Sequence, residues 1–319
     1  MKRIRILNCE PDRYAQEAKK ILHSFSDVTE LKGTKKTLLR EIKHYDGVIT
    51  RFGYAFDKEL LGNALRLKVI GSPTTGLDHI DSEYACNKGV TVVSLKGQYA
   101  FLKKLPSTAE HTFALILGLV RNIYPAFEDV KNGKWDRDRF IGTQLYGKTI
   151  GIIGCGRIGS MVARMAYAFG MRVIVYDIEK QKRSDFFYPV SLDELLEQAD
   201  IITVHVPLEK KTTQLIGKDV FNKMKQGVFF INTSRGDVVC EKSLLAALKK
   251  GIVKGAALDV LCDELTSGFI EHNNIVSYAK THNAVLITPH LGGATSEAMA
   301  AAEVFIAKKI KDFFIKSNS

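Results

Sequence analysis

The sequence lacks the marks of a secreted, membrane-spanning or repeat protein. Its five cysteines lie far apart, none forms a Cys-x-x-Cys pair, and pairing would leave one over. This usage is typical of a reducing cytoplasm, where cysteines act as small buried hydrophobic residues. No stretch approaches the ~18 uninterrupted apolar residues that span a membrane, and no solenoid repeat occurs. We expect a cytoplasmic globular protein without a metal site, and its length suggests about two domains.

Basic residues are abundant but not clustered. Residues Met1–Asn8 alternate charged and apolar side chains, which predicts a strand and not a signal peptide. The net charge of +11 raises the alternative of a nucleic-acid surface. However, pairs such as Lys19-Lys20 and Lys308-Lys309 lie on predicted helix faces without interleaved aromatic residues. We favour a solvated basic surface that attracts small anions over DNA binding.

A glycine-rich stretch organises the middle of the chain. Apolar residues from Lys148 run into Gly154-Cys-Gly-Arg-Ile-Gly159, and a helical pattern follows over Arg157–Gly170. Gly154 permits the turn, Gly156 lets a pyrophosphate approach the backbone, and Gly159 lets helix and strand pack closely. The N–H groups of the first helical turn, around Arg157 and Ile158, would face the phosphates. This context predicts a dinucleotide-binding site.

The acidic residue expected beyond the glycines is Asp177, which ends a second strand that begins at Met171. A carboxylate there would bind the two ribose hydroxyls and repel a 2′-phosphate, so NAD is favoured over NADP. The alternative stays open, because Lys180, Lys182 and Arg183 follow closely and could accept a phosphate.

Strand-like and helix-like segments alternate on both sides of this unit, which predicts parallel sheets with crossover helices. We predict one α/β domain in the first ninety-five residues and a second doubly wound sheet over roughly residues 100 to 290. A long amphipathic helix is expected at Ser296–Ile315. Predicted strands of the second domain include Ile201–Val206, Val228–Asn232, Gly255–Val260 and Val285–Thr288.

The segment between the domains carries a nearly all-apolar helix, Ser107–Arg121. Ser107 and Glu110 have the spacing of a capping box. Because apolar residues almost encircle this helix, we expect it to be buried. The following residues, 130–147, contain the only tryptophan, Trp135, and we expect them to form a packed arm.

Three polar residues follow predicted strands at the same edge as the glycine turn: Arg235, Glu264 and His290. Taken singly, each is more often a structural or surface residue. Together they suit catalysis beside a nicotinamide. Arginine binds a carboxylate with two parallel hydrogen bonds, and histidine transfers protons near neutral pH while a carboxylate fixes its tautomer.

The chain resembles the D-isomer-specific 2-hydroxyacid dehydrogenases, including phosphoglycerate dehydrogenases, over essentially its full length. The resemblance rests on an ordered set of motifs: Leu67–Gly71, Gly76–Asp81, Ala109–His111, Gly147–Gly159, His205–Leu208, Asn232–Val239, Ala257–Glu264 and Thr288–Gly293. It implies two doubly wound parallel sheets: a flavodoxin-like substrate domain, 1–99 plus 291–319, and a Rossmann NAD domain, 100–290. The final helix would return to the first domain.

The resemblance also implies residue roles. Arg235 would bind the carboxylate of a 2-oxo acid, His290 would protonate its carbonyl oxygen as NADH delivers hydride, and Glu264 would support His290. Asp259 would hold the nicotinamide carboxamide. The remaining expected contacts are Thr233, His205 and Pro207 to the cofactor, and Gly76, Leu77, Arg51 and Gly53 to the substrate. The domains would hinge shut to exclude water, and a homodimer would form through residues 107–147.

Some features depart from the family pattern. Leu265 stands where proline is common, a long polar segment spans Thr266–Asn283, and His79 replaces an asparagine behind the substrate turn. Few residues follow His290, so we expect no regulatory domain of the phosphoglycerate dehydrogenase type. Arg51 could equally bind a distal anionic group of the substrate or be a surface residue. The alternative function is an NAD(H)-sensing binding protein of the corepressor type, which keeps the same three polar residues.

Overall fold

The computed structural model describes residues 3–179, 181–266 and 268–316, and the chain divides into two compact units. One comprises Met1–Leu105 with Ala294–Ser319, and the other Pro106–Gly293. The first boundary lies six residues beyond the predicted one because Leu102 is buried in the core of the first unit. The second lies three residues later because the Gly292 N–H donates to Asp259 within the second unit. The substrate and cofactor roles of the units stay predictions.

The first unit is built on a five-stranded parallel sheet of order β2-β1-β3-β4-β5. This is the flavodoxin-like order, as predicted. Its strands are β1 Ile4–Asn8, β2 Ser26–Glu30, β3 Gly47–Ile49, β4 Val69–Ser72 and β5 Thr91–Ser94. Its helices are α1 Gln16–His23, α2 Lys35–Glu41, α3 Lys58–Asn63, α4 Ser82–Asn87, α5 Tyr99–Leu102 and the returning α14 Ser296–Lys316.

The second unit is built on a seven-stranded parallel sheet of order β12-β11-β10-β9-β6-β7-β8. This is a Rossmann order, and it reverses between β6 and β9, where ligands bind such sheets. The strands are β6 Thr149–Ile153, β7 Arg172–Tyr176, β8 Tyr188–Pro189, β9 Ile201–Val204, β10 Val228–Asn232, β11 Val253–Leu258 and β12 Val285–Ile287. The helices are α6 Ser107–Val120, α7 Ile123–Lys131, α8 Arg157–Ala168, α9 Leu192–Gln198, α10 Lys218–Lys223, α11 Glu241–Lys249, α12 Phe269–His272 and α13 Asn274–Ala279.

Apolar composition explains the core of the second unit. Every residue of β9 and of β10 is buried, as expected for central parallel strands covered by helices on both faces. Helix α6 is largely buried, with Phe113, Leu115 and Ile116 in the core. The predicted burial of this helix is therefore confirmed.

The predicted capping box at the start of α6 is wrong. Pro106 is the N-cap, and no side chain caps this end. Ser107 already lies in the first helical turn, while the Pro106 carbonyl accepts hydrogen bonds from the N–H groups of Ala109 and Glu110. A capping box does form at α9, where Ser191 and Glu194 bond each other's backbone N–H groups.

Short elements without a strong apolar period escaped prediction. Strand β2 buries only its first residue, and helices α12 and α13 lie in the segment expected to be a polar loop. One expectation on burial fails, because Cys86 is exposed. Trp135 is 88% exposed in this single chain, and the packing of the arm on a second copy stays a prediction.

Candidate functional site

The glycine turn joins β6 to α8, and its geometry requires glycine at two positions. Gly154 has φ +92°, and a Cβ there would lie 2.8 Å from the His205 carbonyl oxygen. A Cβ on Gly159 would lie 2.1 Å from the Gly154 carbonyl oxygen. A Cβ on Gly156, by contrast, would meet nothing within 4 Å. Gly154 therefore permits the turn and Gly159 the close packing, while Gly156 leaves the backbone open at the start of α8.

Asp177 lies directly after β7 and borders this turn. Its Oδ2 accepts a hydrogen bond from the Cys155 N–H at 2.7 Å, and its Oδ1 accepts one from the Glu179 N–H at 2.9 Å. A carboxylate has about four lone-pair positions, so these two bonds leave acceptor capacity for a diol. Of the residues considered as phosphate acceptors, Lys180 lies outside the described residues, and Arg183 stacks on the Tyr188 ring at 4.6 Å.

Arg157 and Ile158 form the first turn of α8. Ile158 packs against the core, and burial lowers the pKa of the Arg157 guanidinium from its usual value. Both residues follow Gly156 at the helix N-terminus, where backbone N–H groups favour anions.

The segments after β9 and β10 carry the other predicted cofactor contacts. The His205 Nε2 lies 3.0 Å from the Thr203 hydroxyl, and burial lowers the pKa of His205, so the ring is neutral at neutral pH. Pro207 follows, and its carbonyl accepts the Thr212 hydroxyl at 2.6 Å. Thr233 is buried directly after β10. The structure thus places these residues after adjacent strands of one sheet edge; their contacts with a cofactor stay predictions.

Glu264 and His290 come together as a pair. The His290 Nδ1 donates a hydrogen bond to Glu264 Oε1 at 2.5 Å, and Glu264 Oε2 accepts the Leu261 N–H at 3.2 Å. His290 adopts a left-handed backbone conformation with φ +55°. Such strain persists only where surrounding contacts enforce it. A histidine oriented by a carboxylate is suited to proton transfer.

Arg235 follows β10, the strand next to β11, and so lies at the same edge. Its Nη1 donates to the Ser234 carbonyl oxygen at 2.7 Å. Asn232 bridges the loop: its amide nitrogen donates to the Arg235 carbonyl oxygen at 2.9 Å, and its amide oxygen accepts the Ser234 N–H at 3.0 Å. A Cβ on Gly236 would lie 2.0 Å from the Leu261 carbonyl carbon, so this loop packs tightly.

Asp259 is buried and extensively bonded. Its carboxylate accepts hydrogen bonds from the His111 Nε2 (3.0 Å), the Thr288 hydroxyl (2.6 Å) and the N–H groups of Leu291 (2.7 Å) and Gly292 (2.8 Å). Burial raises the pKa of Asp259, but these hydrogen bonds outweigh that effect, and the net pKa lies below its usual value. Three of the four bonds fall on Oδ1. The predicted carboxamide contact is untested, and the visible role of the side chain is to fasten the segment around His290.

The first unit presents two turns after its strands. The Glu10 carboxylate accepts the N–H groups of Arg51 and Gly53 and the Thr50 hydroxyl. The Arg51 Nη2 donates to the Glu10 carbonyl oxygen at 2.9 Å, and the Arg51 Nη1 lies 3.6 Å from the buried Glu303. Arg51 is therefore an anchored side chain that is 20% exposed, not a plain surface charge.

The second turn of the first unit carries Gly76 and Leu77, which are both partly exposed. The Thr74 hydroxyl donates to the Gly76 carbonyl oxygen at 2.7 Å and lies 2.8 Å from the Ser72 hydroxyl. His79 is buried behind the turn, with its Nε2 3.2 Å from the Ser72 hydroxyl. This network fixes the turn, while contacts of Gly76 and Leu77 with a substrate stay predictions.

Comparison with known proteins agrees with this arrangement. The profile of a family described as "D-isomer specific 2-hydroxyacid dehydrogenase, NAD binding domain" matches residues 113–292. The chain belongs to this dehydrogenase family. The matched range ends at Gly292, whose N–H donates a hydrogen bond to the Asp259 carboxylate within the second unit.

Individual relatives have related names. A D-3-phosphoglycerate dehydrogenase of Methanocaldococcus jannaschii is 39% identical over 97% of this chain and 57% of its own length. The Bacillus subtilis protein of that name is 39% identical over 86% of this chain and 50% of its own. The chain thus spans about half the length of the curated relatives it matches. A solved D-lactate dehydrogenase from Aquifex aeolicus, complexed with NAD and lactic acid, is 32% identical with a TM-score of 0.83, covering 98% of this chain and 96% of that one.

Two features that would indicate other kinds of function are absent from the described residues. No helix of the described ranges is both long and apolar enough to cross a membrane. Within the same residues, no group of three His, Cys, Asp or Glu side chains could hold a metal ion. The expected cytoplasmic location stays a prediction.

Proposed function

We propose that this chain is an NAD-dependent oxidoreductase that interconverts a 2-oxo acid and a D-2-hydroxy acid. The observation that carries the proposal is the Glu264–His290 pair, 2.5 Å apart, at the sheet edge that also carries the Arg235 loop and the glycine turn. Family membership supports the same reaction class.

The geometry of the glycine turn supports NAD as the cofactor. The open backbone at Gly156 and the N-terminus of α8 would take the pyrophosphate. Asp177 would accept the ribose hydroxyls, and its charge would disfavour the 2′-phosphate of NADP. Bound NADH would supply the hydride, and residues of the chain would bind the substrate and supply the proton.

Each polar residue then has one task. Arg235 would hold the substrate carboxylate through two parallel hydrogen bonds and so orient the carbonyl group. Because the Nδ1 of His290 donates to Glu264, the Nε2 is the nitrogen that would give its proton to the carbonyl oxygen. The carbonyl carbon gains the hydride, its oxygen gains this proton, and the product is a 2-hydroxy acid. The Glu264 carboxylate would stabilise the charged imidazolium before the transfer.

The test is an absorbance assay of NADH oxidation against a panel of 2-oxo acids: pyruvate, glyoxylate, 2-oxoglutarate and 3-phosphohydroxypyruvate. We expect oxidation with at least one acid and a product of D configuration. If no acid of the panel causes NADH oxidation while NADH still binds tightly, the proposal is contradicted and the NAD(H)-sensing alternative is favoured. A lower Michaelis constant for NADPH than for NADH would overturn the cofactor assignment alone.

We also propose that the turns of the first unit contact the substrate, with Gly76 and Leu77 N–H groups binding its carboxylate. Whether Arg51 recognises a distal anion can be tested by comparing Arg51→Met with the unmodified chain on acids with and without a second anionic group. A rise in KM confined to the doubly charged acids would support recognition. An equal change for both kinds of acid would assign Arg51 only to the Glu10 and Glu303 contacts.

A homodimer through α7 and the arm is the proposed assembly. Helix α7 has no buried residue, although it carries Tyr124, Phe127 and Val130, and the arm exposes Trp135 and Ile141. A second copy covering this apolar surface would remove it from water. Phe127→Lys should shift the mass measured by light scattering from dimer to monomer. Leu65→Lys, at a 76% exposed position of the first unit, is the matched control and should leave the mass unchanged; a monomeric unmodified chain would contradict the proposal.

A further inference from the structure

Helix α6 carries two consecutive polar residues, His111 and Thr112, on a surface that is otherwise mainly apolar. Neither faces solvent freely: Thr112 is fully buried, and the His111 side chain is 19% exposed. The two side chains reach different loops of the same sheet edge. One reaches the segment of His290, and the other reaches the segment of Arg235.

His111 acts on the His290 segment through Asp259. The His111 Nε2 lies 3.0 Å from Asp259 Oδ1 and 3.1 Å from the Thr288 hydroxyl, which itself donates to Asp259. The main chain of Asp259 adds a further bond, since its carbonyl oxygen accepts the His290 N–H at 2.8 Å. Asp259 therefore bonds His290 through its main chain and the neighbours Thr288, Leu291 and Gly292 through its carboxylate. These bonds lie on both sides of His290, the residue whose φ is +55°.

Thr112 acts on the Arg235 segment through Thr233. The Thr112 hydroxyl donates its only proton to the Thr108 carbonyl oxygen at 2.7 Å. The 2.8 Å bond between the two threonine hydroxyls must therefore run from Thr233 to Thr112. This fixes the Thr233 hydroxyl at the start of the loop that Asn232 bridges.

The two segments are also joined to each other. The Asp259 N–H donates to the Asn232 carbonyl oxygen at 2.9 Å. One turn of α6 and one backbone bond therefore hold both loops, and a small shift of the helix would move both together.

We propose that His111 and Thr112 are positioning residues, which hold the His290 and Arg235 loops at the relative positions that catalysis requires. The inference rests on the proposed dehydrogenase function. A structural role alone would lower stability without changing turnover, whereas positioning errors of about 1 Å can cost about 100-fold in rate.

The test separates these outcomes by kinetics at 25 °C. His111→Leu removes the donor to Asp259, and we expect kcat to fall about 100-fold with KM and the NADH dissociation constant within about threefold. His111→Gln restores an amide donor and should recover most of kcat. Thr112→Val should lower kcat about tenfold and Thr112→Ser should not.

Leu115→Ala is the matched control, since Leu115 is buried on the same helix without a polar contact to either loop. It should lower the thermal unfolding midpoint but keep kcat within about threefold. The proposal is overturned if His111→Leu keeps its kcat, or if Leu115→Ala loses as much activity as His111→Leu.

Hydrogen exchange gives a readout that does not depend on activity. We expect faster exchange of the Leu291 and Gly292 amides in His111→Leu than in Leu115→Ala or His111→Gln. If the unmodified chain reduces no 2-oxo acid, the proposed function fails while this result still decides whether His111 holds the loop. Unchanged exchange in His111→Leu would refute the positioning role.

Discussion

Two buried carboxylates, one in each unit, have the same exposure and pKa shifts of opposite direction. Asp259 and Glu303 are each 1% exposed. Asp259 accepts four hydrogen bonds, and its net pKa is lowered. Glu303 accepts the Ala15 N–H at 2.7 Å, while its Oε1 accepts no hydrogen bond from a described residue and lies 3.6 Å from Arg51. Burial therefore dominates there and raises the pKa of Glu303.

The difference shows that the number of donors, not depth, decides the direction in which the pKa of a buried carboxylate shifts. In the second unit three of the four donors belong to the segment that carries His290, so the charge organises the loop of the proposed proton donor. In the first unit Glu303 ties α14 to the Arg51 turn with fewer bonds. We infer that the second unit performs the proton chemistry and that the carboxylate of the first unit is architectural.

The largest effect should come from His290→Gln. Removing the proton donor should lower kcat about 1,000-fold, within the range typical of general acids. NADH binding should persist, because the glycine turn is untouched. Steady-state assays and fluorescence titration measure both, with Glu303→Gln as the control from the other unit. Turnover within a few-fold of the unmodified chain would contradict the role of His290.

Asp259→Asn tests the comparison of the two carboxylates through the free energy of unfolding. Losing the charge that four donors satisfy should lower the free energy of unfolding by about 2–3 kcal/mol at neutral pH. The lowered pKa of Asp259 means that this stabilisation is present above the unfolded value of about 3.9 and is lost as pH falls through the folded value. Denaturation at a series of pH values should show the deficit shrinking in acid. A constant deficit would contradict this account.

Arg235→Lys should lower kcat/KM about 10- to 100-fold, corresponding to roughly 1.5–3 kcal/mol for a lost charged hydrogen bond. A lysine cannot form the planar fork of arginine. The conservative control is Arg172→Lys, at an exposed position bonded to Gln198. Equal kinetics for both variants would remove Arg235 from the site.

Glu303→Gln should have the smallest effect, within about 1 kcal/mol at pH 7, and the opposite pH trend. Because the pKa of Glu303 is raised, its favourable protonated form is fully present below about pH 4.3 and is lost as pH rises through the folded pKa. The variant should therefore gain on the unmodified chain as pH rises. Parallel pH trends for Glu303→Gln and Asp259→Asn would break the comparison.

Sequence patterns predicted the parts of the fold that local composition determines. The apolar run Val228–Asn232 is a strand with the predicted bounds, and the glycine spacing placed the turn after β6. Elements whose residues lack a period, such as β2 and α12, were missed. Asp259 itself was predicted, but its fastening role and the part played by Glu303 were not, since their partners lie far away in sequence. His111 is 148 residues from Asp259, and Ala15 is 288 residues from Glu303.

The most direct test of the central claim follows the hydride itself. NADH carrying deuterium at both positions on C4 of the nicotinamide would be incubated with the chain and the best 2-oxo acid, and the product analysed by mass and configuration. We predict one deuterium at C2 of a D-2-hydroxy acid, and about 1,000-fold slower formation of this product after His290→Gln under the same conditions. An unlabelled product or an L product would contradict the account.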